Sequence, residues 1–334
     1  MRTRYGRLTL MGCAAVLAAG IAGSAQGQTP APGEIDIYTG DPVRQAGIKL
    51  STWGSGEAVQ DTDHVYIGSA SIKIATHGAY QGARLELSRP VDLKPALDDK
   101  YAYLQFVTQL PNKNTQPTFG YPGLPGYGRG MGRLFGGQGR GPGGYPGGIG
   151  GPGGFNPSNQ ETGMTTPKPL SQIRVVLVTT DGKQIEFYLP IDTAASGRGD
   201  WTYLAIPVAA IPGLAKTNAE IKEVRLFGDS AAVLYLGEVR VVRDETPIRV
   251  DDLPEYTVAK MDVVTFTASA EAGTTPLKYQ WNFDAAHPGV DAEGKTVKHQ
   301  YRKGQQDYTV TLTVSDVYGI KKPVTRTTTV HVTL

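Results

Sequence analysis

Between Gly120 and Gly154 the chain carries 18 glycines in 35 residues. Prolines and the aromatics Tyr121, Tyr127, Phe135 and Tyr145 are interleaved, and Arg129, Arg133 and Arg140 are the only charges. Glycine loses the most backbone freedom on folding, and too few large side chains are present to offset that loss. The segment is therefore expected to be disordered and to stay out of any core. A Gly/Pro-rich insertion over 111–170 splits the chain, and what folds must be built from the sequence on either side.

Both sides carry the period-two alternation of strands. Ser69–Ala75 places Ile72 and Ile74 on one face, Ala83–Ser88 places Leu85 and Leu87, and Tyr101–Thr108 places Ala102, Leu104 and Phe106. After the insertion, 173–180, 184–189, 201–206, 223–227 and 232–242 read the same way. Gly, Pro, Asp and Asn separate these runs, and no run of ten residues sustains a 3.6 period. Short strands without helices predict an antiparallel sandwich. Strands on both sides of one insertion fit a single jelly roll over 34–245. A polar, proline-flanked stretch, Asp244–Pro254, then links it to a second strand series at 263–269, 278–283, 308–314 and 325–332, whose length fits an immunoglobulin-like sandwich over 246–334. The fold class is thus all-β, with a jelly-roll sandwich followed by an Ig-like sandwich.

The N-terminus places Arg2, Arg4 and Arg7 before an Ala/Gly-rich apolar run and a small-residue zone ending near Gly27. This is the pattern of a secretory signal peptide over 1–27, followed by a short linker over 28–33. The run is too short for a membrane span, and no later segment is apolar enough for one. A lipoprotein signal at Cys13 is the rival reading, with most of the apolar run on the wrong side of that cysteine. Cys13 is the only cysteine, so a mature chain without the leader has no disulfide. The net charge of +2 becomes −1 without the three leader arginines, so no global basic field points to nucleic acid or to an anionic membrane. The expected location is the exterior or surface of a bacterium.

Tyr279-Gln280-Trp281-Asn282-Phe283, His299-Gln300-Tyr301, Gly304, the run Tyr308–Val314, Asp316 and Gly319 together resemble the PKD family of secreted Ig-like domains. The family's Trp-x-Phe-Gly-Asp-Gly run departs here after Phe283, where Asp284-Ala285-Ala286 stands. The resemblance implies a core built on Trp281 and a role as spacer or interaction module, without catalysis. Alternation alone also places Tyr279, Trp281 and Phe283 on one face, as a core needs.

The first module more loosely resembles carbohydrate-binding modules of the galactose-binding-like jelly-roll type. The residues that carry this are Val65–Ile74, Gly82-Ala83-Arg84-Leu85, Pro90–Leu93, Tyr101–Leu104, Asp200–Tyr203 and Tyr235–Val239. The resemblance implies a polysaccharide partner. Sugar rings stack their C–H faces on aromatics while their hydroxyls seek polar partners, so a binding strand alternates the two outward. Tyr101, Tyr103 and Gln105 do this, and Arg84 and Glu86 face solvent on a nearby strand. A row of exposed aromatics costs solubility unless a ligand or another part of the chain covers it. Cover by the insertion or by a loop is the competing reading. Trp53, in a Thr-Trp-Gly-Ser-Gly turn, suits loop-borne binding or loop packing equally, and Trp201 suits the core.

Family modules commonly hold a structural Ca²⁺. By position, Glu34, Asp36 and Glu238 are the candidate ligands, with Asp61 and Asp63 as loop alternatives and solvated carboxylates as the plain alternative. An enzyme is not expected. His64, His77, His287, His299 and His331 are dispersed, with no H-E-x-x-H, no G-x-S-x-G and no phosphate loop. A glycosidase needs only two carboxylates across a cleft, but Asp98-Asp99 and Asp251-Asp252 read as turn and linker residues. Gly-Arg-Gly repeats with aromatics resemble RNA-binding segments, yet three arginines in an exported chain are few. The expected function is a secreted, non-catalytic polysaccharide-binding protein. An envelope component that binds proteins and a polysaccharide hydrolase or lyase are the alternatives.

Overall fold

The computed structural model describes residues 33–110 and 168–334. The segment expected to be a signal peptide, Cys13, and nearly all of the expected linker and insertion lie outside the described residues.

The first module runs β1 (Ile35–Tyr38), β2 (Ile48–Trp53), β3 (Glu57–Asp61), β4 (Ser71–His77), β5 (Gly82–Asp92), β6 (Ala102–Gln109), β7 (Gln172–Thr179), β8 (Gln184–Pro190), β9 (Ala195–Ser196), β10 (Trp201–Pro207), β11 (Glu220–Gly228) and β12 (Ala231–Arg243). They form two antiparallel sheets. One is ordered β3-β4-β12-β6-β10-β9, with β1 added along β12, and the other β2-β5-β11-β7-β8. The alternating apolar residues meet between them. Ile72, Ile74, Leu85, Leu104, Phe106, Val175, Leu177, Leu226 and Leu234 are all buried in this one core. Each fully buried aliphatic side chain contributes about 1.5–3 kcal/mol relative to an exposed one. The all-β sandwich is as the alternation predicts. β11 pairs with β5 on one side and β7 on the other, so it joins strands from before and after the insertion.

The second module runs β13 (Arg249–Val250), β14 (Tyr256–Ala259), β15 (Val263–Thr267), β16 (Ala270–Glu271), β17 (Leu277–Asn282), β18 (Ala292–Glu293), β19 (Thr296–Gln300), β20 (Gln306–Asp316) and β21 (Val324–Thr333). A five-stranded sheet, β14-β21-β20-β17-β18, packs with the β15-β19 and β13-β16 pairs. Tyr279, Trp281 and Phe283 are buried on one face, as alternation requires. The Trp281 indole is fully buried, donates to the Gly294 carbonyl at 2.9 Å and packs against Phe266.

The stretch expected to be a linker begins as a docking joint. Asp244 is buried, and its amide donates to the Tyr101 carbonyl at 2.9 Å. Its carboxylate accepts from the Lys321 ammonium (2.8 Å), the Thr274 amide (2.9 Å), the Thr275 hydroxyl (3.1 Å) and the Thr246 amide (2.9 Å). Lys321 is equally buried and donates also to the Ala272 carbonyl at 2.8 Å. Gly273 has φ +65°, and a Cβ there would stand 2.5 Å from Asp244 Oδ1, so this close approach requires glycine.

Candidate functional site

The docking joint decides the fate of the first expected binding face. Tyr103 and Gln105 do point outward from β6, away from the core, yet both are buried, Tyr103 completely. The second module covers this end of the sheet. Lys321 Nζ lies 5.8 Å from the Tyr103 ring centroid, and Thr275, Asp316 and Tyr318 are close to the phenol, whose pKa burial pushes up. Tyr101 precedes β6, half-buried, with Lys100 Nζ at 4.7 Å and the Arg243 guanidinium at 5.7 Å from its ring. Cover by another part of the chain is therefore what the structure shows at Tyr103, and the covering element is the second module.

Trp53 and Arg84 belong to the other sheet, whose outward face no other element covers among the described residues. Trp53 ends β2 and opens the expected turn, the Gly56 amide donating to its carbonyl at 3.3 Å. The registers place Trp53 opposite Gly82, Gly82 opposite Phe227, Phe227 opposite Arg174 and Arg174 opposite Tyr188. One row thus crosses all five strands from edge to edge, four interstrand steps of about 4.8 Å, or about 19 Å. Trp53 is 39% exposed, Tyr188 46%, and Tyr80, just before β5, 71%. Arg225 lies 4.4 Å from the Trp53 ring centroid, and Arg174 lies 4.9 Å from both the Tyr80 and the Phe227 centroids. Such cation–π contacts, about 0.5–2 kcal/mol each, fix the rings and the guanidiniums together.

Carboxylates hold the same arginines from the side. Glu223 receives Arg84 at 2.8 Å and also Arg225, Glu86 receives Arg84 at 3.2 Å and Lys49 at 3.3 Å, and Glu186 receives Arg174 at 2.6 Å. The Arg174 and Tyr188 hydrogen bonds hold the Glu186 carboxyl down at about 2. Burial would raise the Glu223 carboxyl, but its hydrogen bonds from Arg84 and Arg225 leave it lowered. Both stay ionised at neutral pH. Gly82 supplies only backbone to the row, because a Cβ there would stand 2.1 Å from the Leu226 carbonyl oxygen. Gly82→Ala is expected to shift β5 against β11 and cost about 1–3 kcal/mol, measured by urea denaturation.

The opposite face carries aromatics that sequence reasoning did not group. Tyr66 packs on Trp201 (5.5 Å between centroids), its hydroxyl lies 3.1 Å from that of Tyr203, and His64 stacks on Tyr235 at 3.8 Å. Gly237, at a bulge in β12, makes room: a Cβ there would stand 2.5 Å from Tyr66 and 2.8 Å from Trp201. These rings satisfy one another, and Trp201 is buried. The core is not where Trp201 packs; it lies on the outer face of β10.

The expected calcium ligands do converge, but around a guanidinium. Arg240 pairs with Glu238 at 3.2 Å and with Glu34, and Asp36 lies close enough to feel its charge. Burial raises the Glu238 and Asp36 carboxyls, opposed by Arg240. Among the described residues no group of three His, Cys, Asp or Glu side chains is arranged to hold a metal ion. The residues present do not fit calcium, because Arg240 supplies the positive charge. Asp61 accepts instead from the Asp63 and His64 amides, and closes its own loop.

Residues 245–332 match the family model of the PKD domain, so the second module is a PKD domain. No curated protein matches the chain. Among solved structures, a beta-1,2-glucanase from Parabacteroides distasonis aligns with 89% of this chain at 10% identity and a TM-score of 0.32. This chain spans only 38% of that enzyme's length. Carbohydrate-binding modules of the β-sandwich superfamily align over 59% of this chain and 57% of theirs (10% identity, TM-score 0.27). Fibronectin(III)-like modules of Clostridium thermocellum CbhA align over 49% and 80% (11% identity, TM-score 0.21). At this level of likeness none of the three bears on what this chain does. No helix among the described residues is long and apolar enough to cross a membrane.

Proposed function

We propose that this is an exported, non-catalytic carbohydrate-binding protein. Its jelly roll takes a polysaccharide on the outer face of the five-stranded sheet, and its PKD domain is held against the opposite sheet. One observation carries the reading: Trp53, Tyr80 and Tyr188 stand exposed along one five-strand face, with arginines and carboxylates between them. Exposed rings cost solubility unless they meet a partner, and rings beside planar hydrogen-bonding groups suit sugars. Glu186 and Glu223, held ionised by their arginines, are poor proton donors at neutral pH, which favours binding over hydrolysis on this face.

The test is retention on insoluble polysaccharides and calorimetric titration with soluble ones. Trp53→Ala and Tyr188→Ala are each expected to weaken binding about tenfold, or about 1.4 kcal/mol. Both side chains are exposed, so the fold survives their loss. Tyr103→Ala is expected to act on stability rather than on affinity. Absence of binding to every polysaccharide, with the protein held by envelope proteins, would move the reading to an adhesion component. Release of sugar products would move it to a hydrolase or lyase.

A further inference from the structure

The open face also constrains which glycan it takes and how the glycan lies, an inference that rests on the carbohydrate reading above. We infer that the ligand is an uncharged, extended polysaccharide chain laid across the strands along the row from Trp53 to Tyr188.

Charge is the first ground. Four cations, Lys49, Arg84, Arg174 and Arg225, stand on this face, and each is paired with Glu86, Glu186 or Glu223. A sulfate or uronate would have to displace a carboxylate from its guanidinium and then sit beside it, where like charges repel. The pairs are pinned from the other side as well: Arg174 lies between Tyr80 and Phe227, and Arg225 lies against Trp53. The four cations share three carboxylates, so the surplus is a single positive charge spread over groups already held in pairs, too little to neutralise a chain that carries a charge on every sugar. Sugar hydroxyls, in contrast, can share the spare lone pairs and N–H groups of an ion pair without breaking it.

Shape is the second ground. The row begins on edge strand β2 and ends on edge strand β8. Among the described residues no strand of this sheet continues beyond either edge, and at the β8 end Tyr188 shares a cleft with Tyr203, Pro276, Val317 and Tyr318, so a chain that passes that end runs on beside the second module. Trp53 and Tyr188, near its two ends, are about 19 Å apart by four interstrand spacings. One sugar ring reaches only one of them, whereas a chain of several rings reaches both and also Tyr80. Multiple contacts along one rigid ligand make the second contact effectively intramolecular, so affinity rises with chain length until the row is filled.

Isothermal titration of the full chain with neutral, linear β-glucan and xylan oligosaccharides of increasing length, and with oligogalacturonates of matching length, tests this. Each series is run at about 50 and about 500 mM NaCl, where screening differs strongly. The expected result is neutral-chain affinity that rises at least about tenfold from the disaccharide to the length that spans the row, changes little with salt, and loses that rise in both Trp53→Ala and Tyr188→Ala. Preference for oligogalacturonate, weakening with salt, would overturn the uncharged ligand and leave carbohydrate binding standing. A plateau at the disaccharide would overturn the laid-across geometry. Binding untouched by either substitution, or no binding to any probe, would overturn the face itself.

Discussion

Lys321→Met is expected to destabilise the docked modules by about 3–5 kcal/mol, because it strands the Asp244 carboxylate without its cation in a buried joint. The substitution keeps the aliphatic stem, so the loss comes from charge rather than from packing. Both partners are 7% exposed, and their 2.8 Å contact is reinforced by the Thr274, Thr275 and Thr246 donors. Calorimetric unfolding of the full chain reads the loss, and Asp244→Asn with Lys321→Met closes a double-mutant cycle that isolates the pair. A coupling energy near zero in that cycle would remove the pair as the source of docking. The pH dependence has a definite sign. Burial raises the Asp244 carboxyl, but the Lys321 and Thr246 hydrogen bonds outweigh it and leave the carboxyl lowered. A lowered carboxyl stabilises the native state fully above its ordinary value, near 4, and that stability fades as pH falls through the lowered native value. Undocking in acid is therefore expected below about pH 4, with Tyr103 becoming solvent-accessible as the readout.

Trp281→Ala is expected to cost about 3–5 kcal/mol, most of the margin of the PKD domain. At about 0.05–0.15 kcal/mol per residue, a module of this size holds only several kcal/mol in all. Trp281, on β17, is fully buried, with Phe266 of β15 5.6 Å away, and its one polar side-chain atom is satisfied by Gly294. Alanine removes the ring contacts and leaves the Gly294 carbonyl without its donor. Urea denaturation followed by tyrosine fluorescence checks it, and a loss below about 1 kcal/mol would mean that the core repacks around the gap.

The inward half of this protein was legible in its residues. Ile72 and Ile74, Leu104 and Phe106, and Tyr279 with Trp281 declare a core-facing side through strict alternation, because successive side chains of a strand point to opposite faces. What lies over the other face is not written in the strand. The pattern of β6 sends Tyr103 and Gln105 outward, and outward normally means solvent, but the 0% exposure of Tyr103 follows from Lys321 and Tyr318, more than 200 positions along the chain. The candidate site was half legible. Trp53 and Arg84 lie on the open face, whereas their alignment with Phe227, Arg174 and Tyr188 depends on four interstrand registers that no single strand encodes. Tyr188 had a local signal: in Gln184–Pro190 it alternates outward beside Glu186, the aromatic–polar pattern sought in β6. Arg240 hid behind the acidic residues near it, since a calcium site and an ion-pair cluster draw on the same carboxylates.

The edge-to-edge row also sets when the proposed binding platform is complete. Its members, in chain order Trp53, Gly82, Arg174, Tyr188 and Phe227, come from distant parts of the polypeptide, and β11 is the strand that stitches the two parts together. Contacts of such separation form slowly, because loop closure is paid before any pairing returns it. A growing chain has β2, β5, β7 and β8 available but no continuous platform until β11 has emerged and inserted between β5 and β7. On the proposed reading, ligand capture is then a late event of folding and a direct reporter of that insertion: a species that collapses with β11 misplaced keeps its aromatics and loses their alignment.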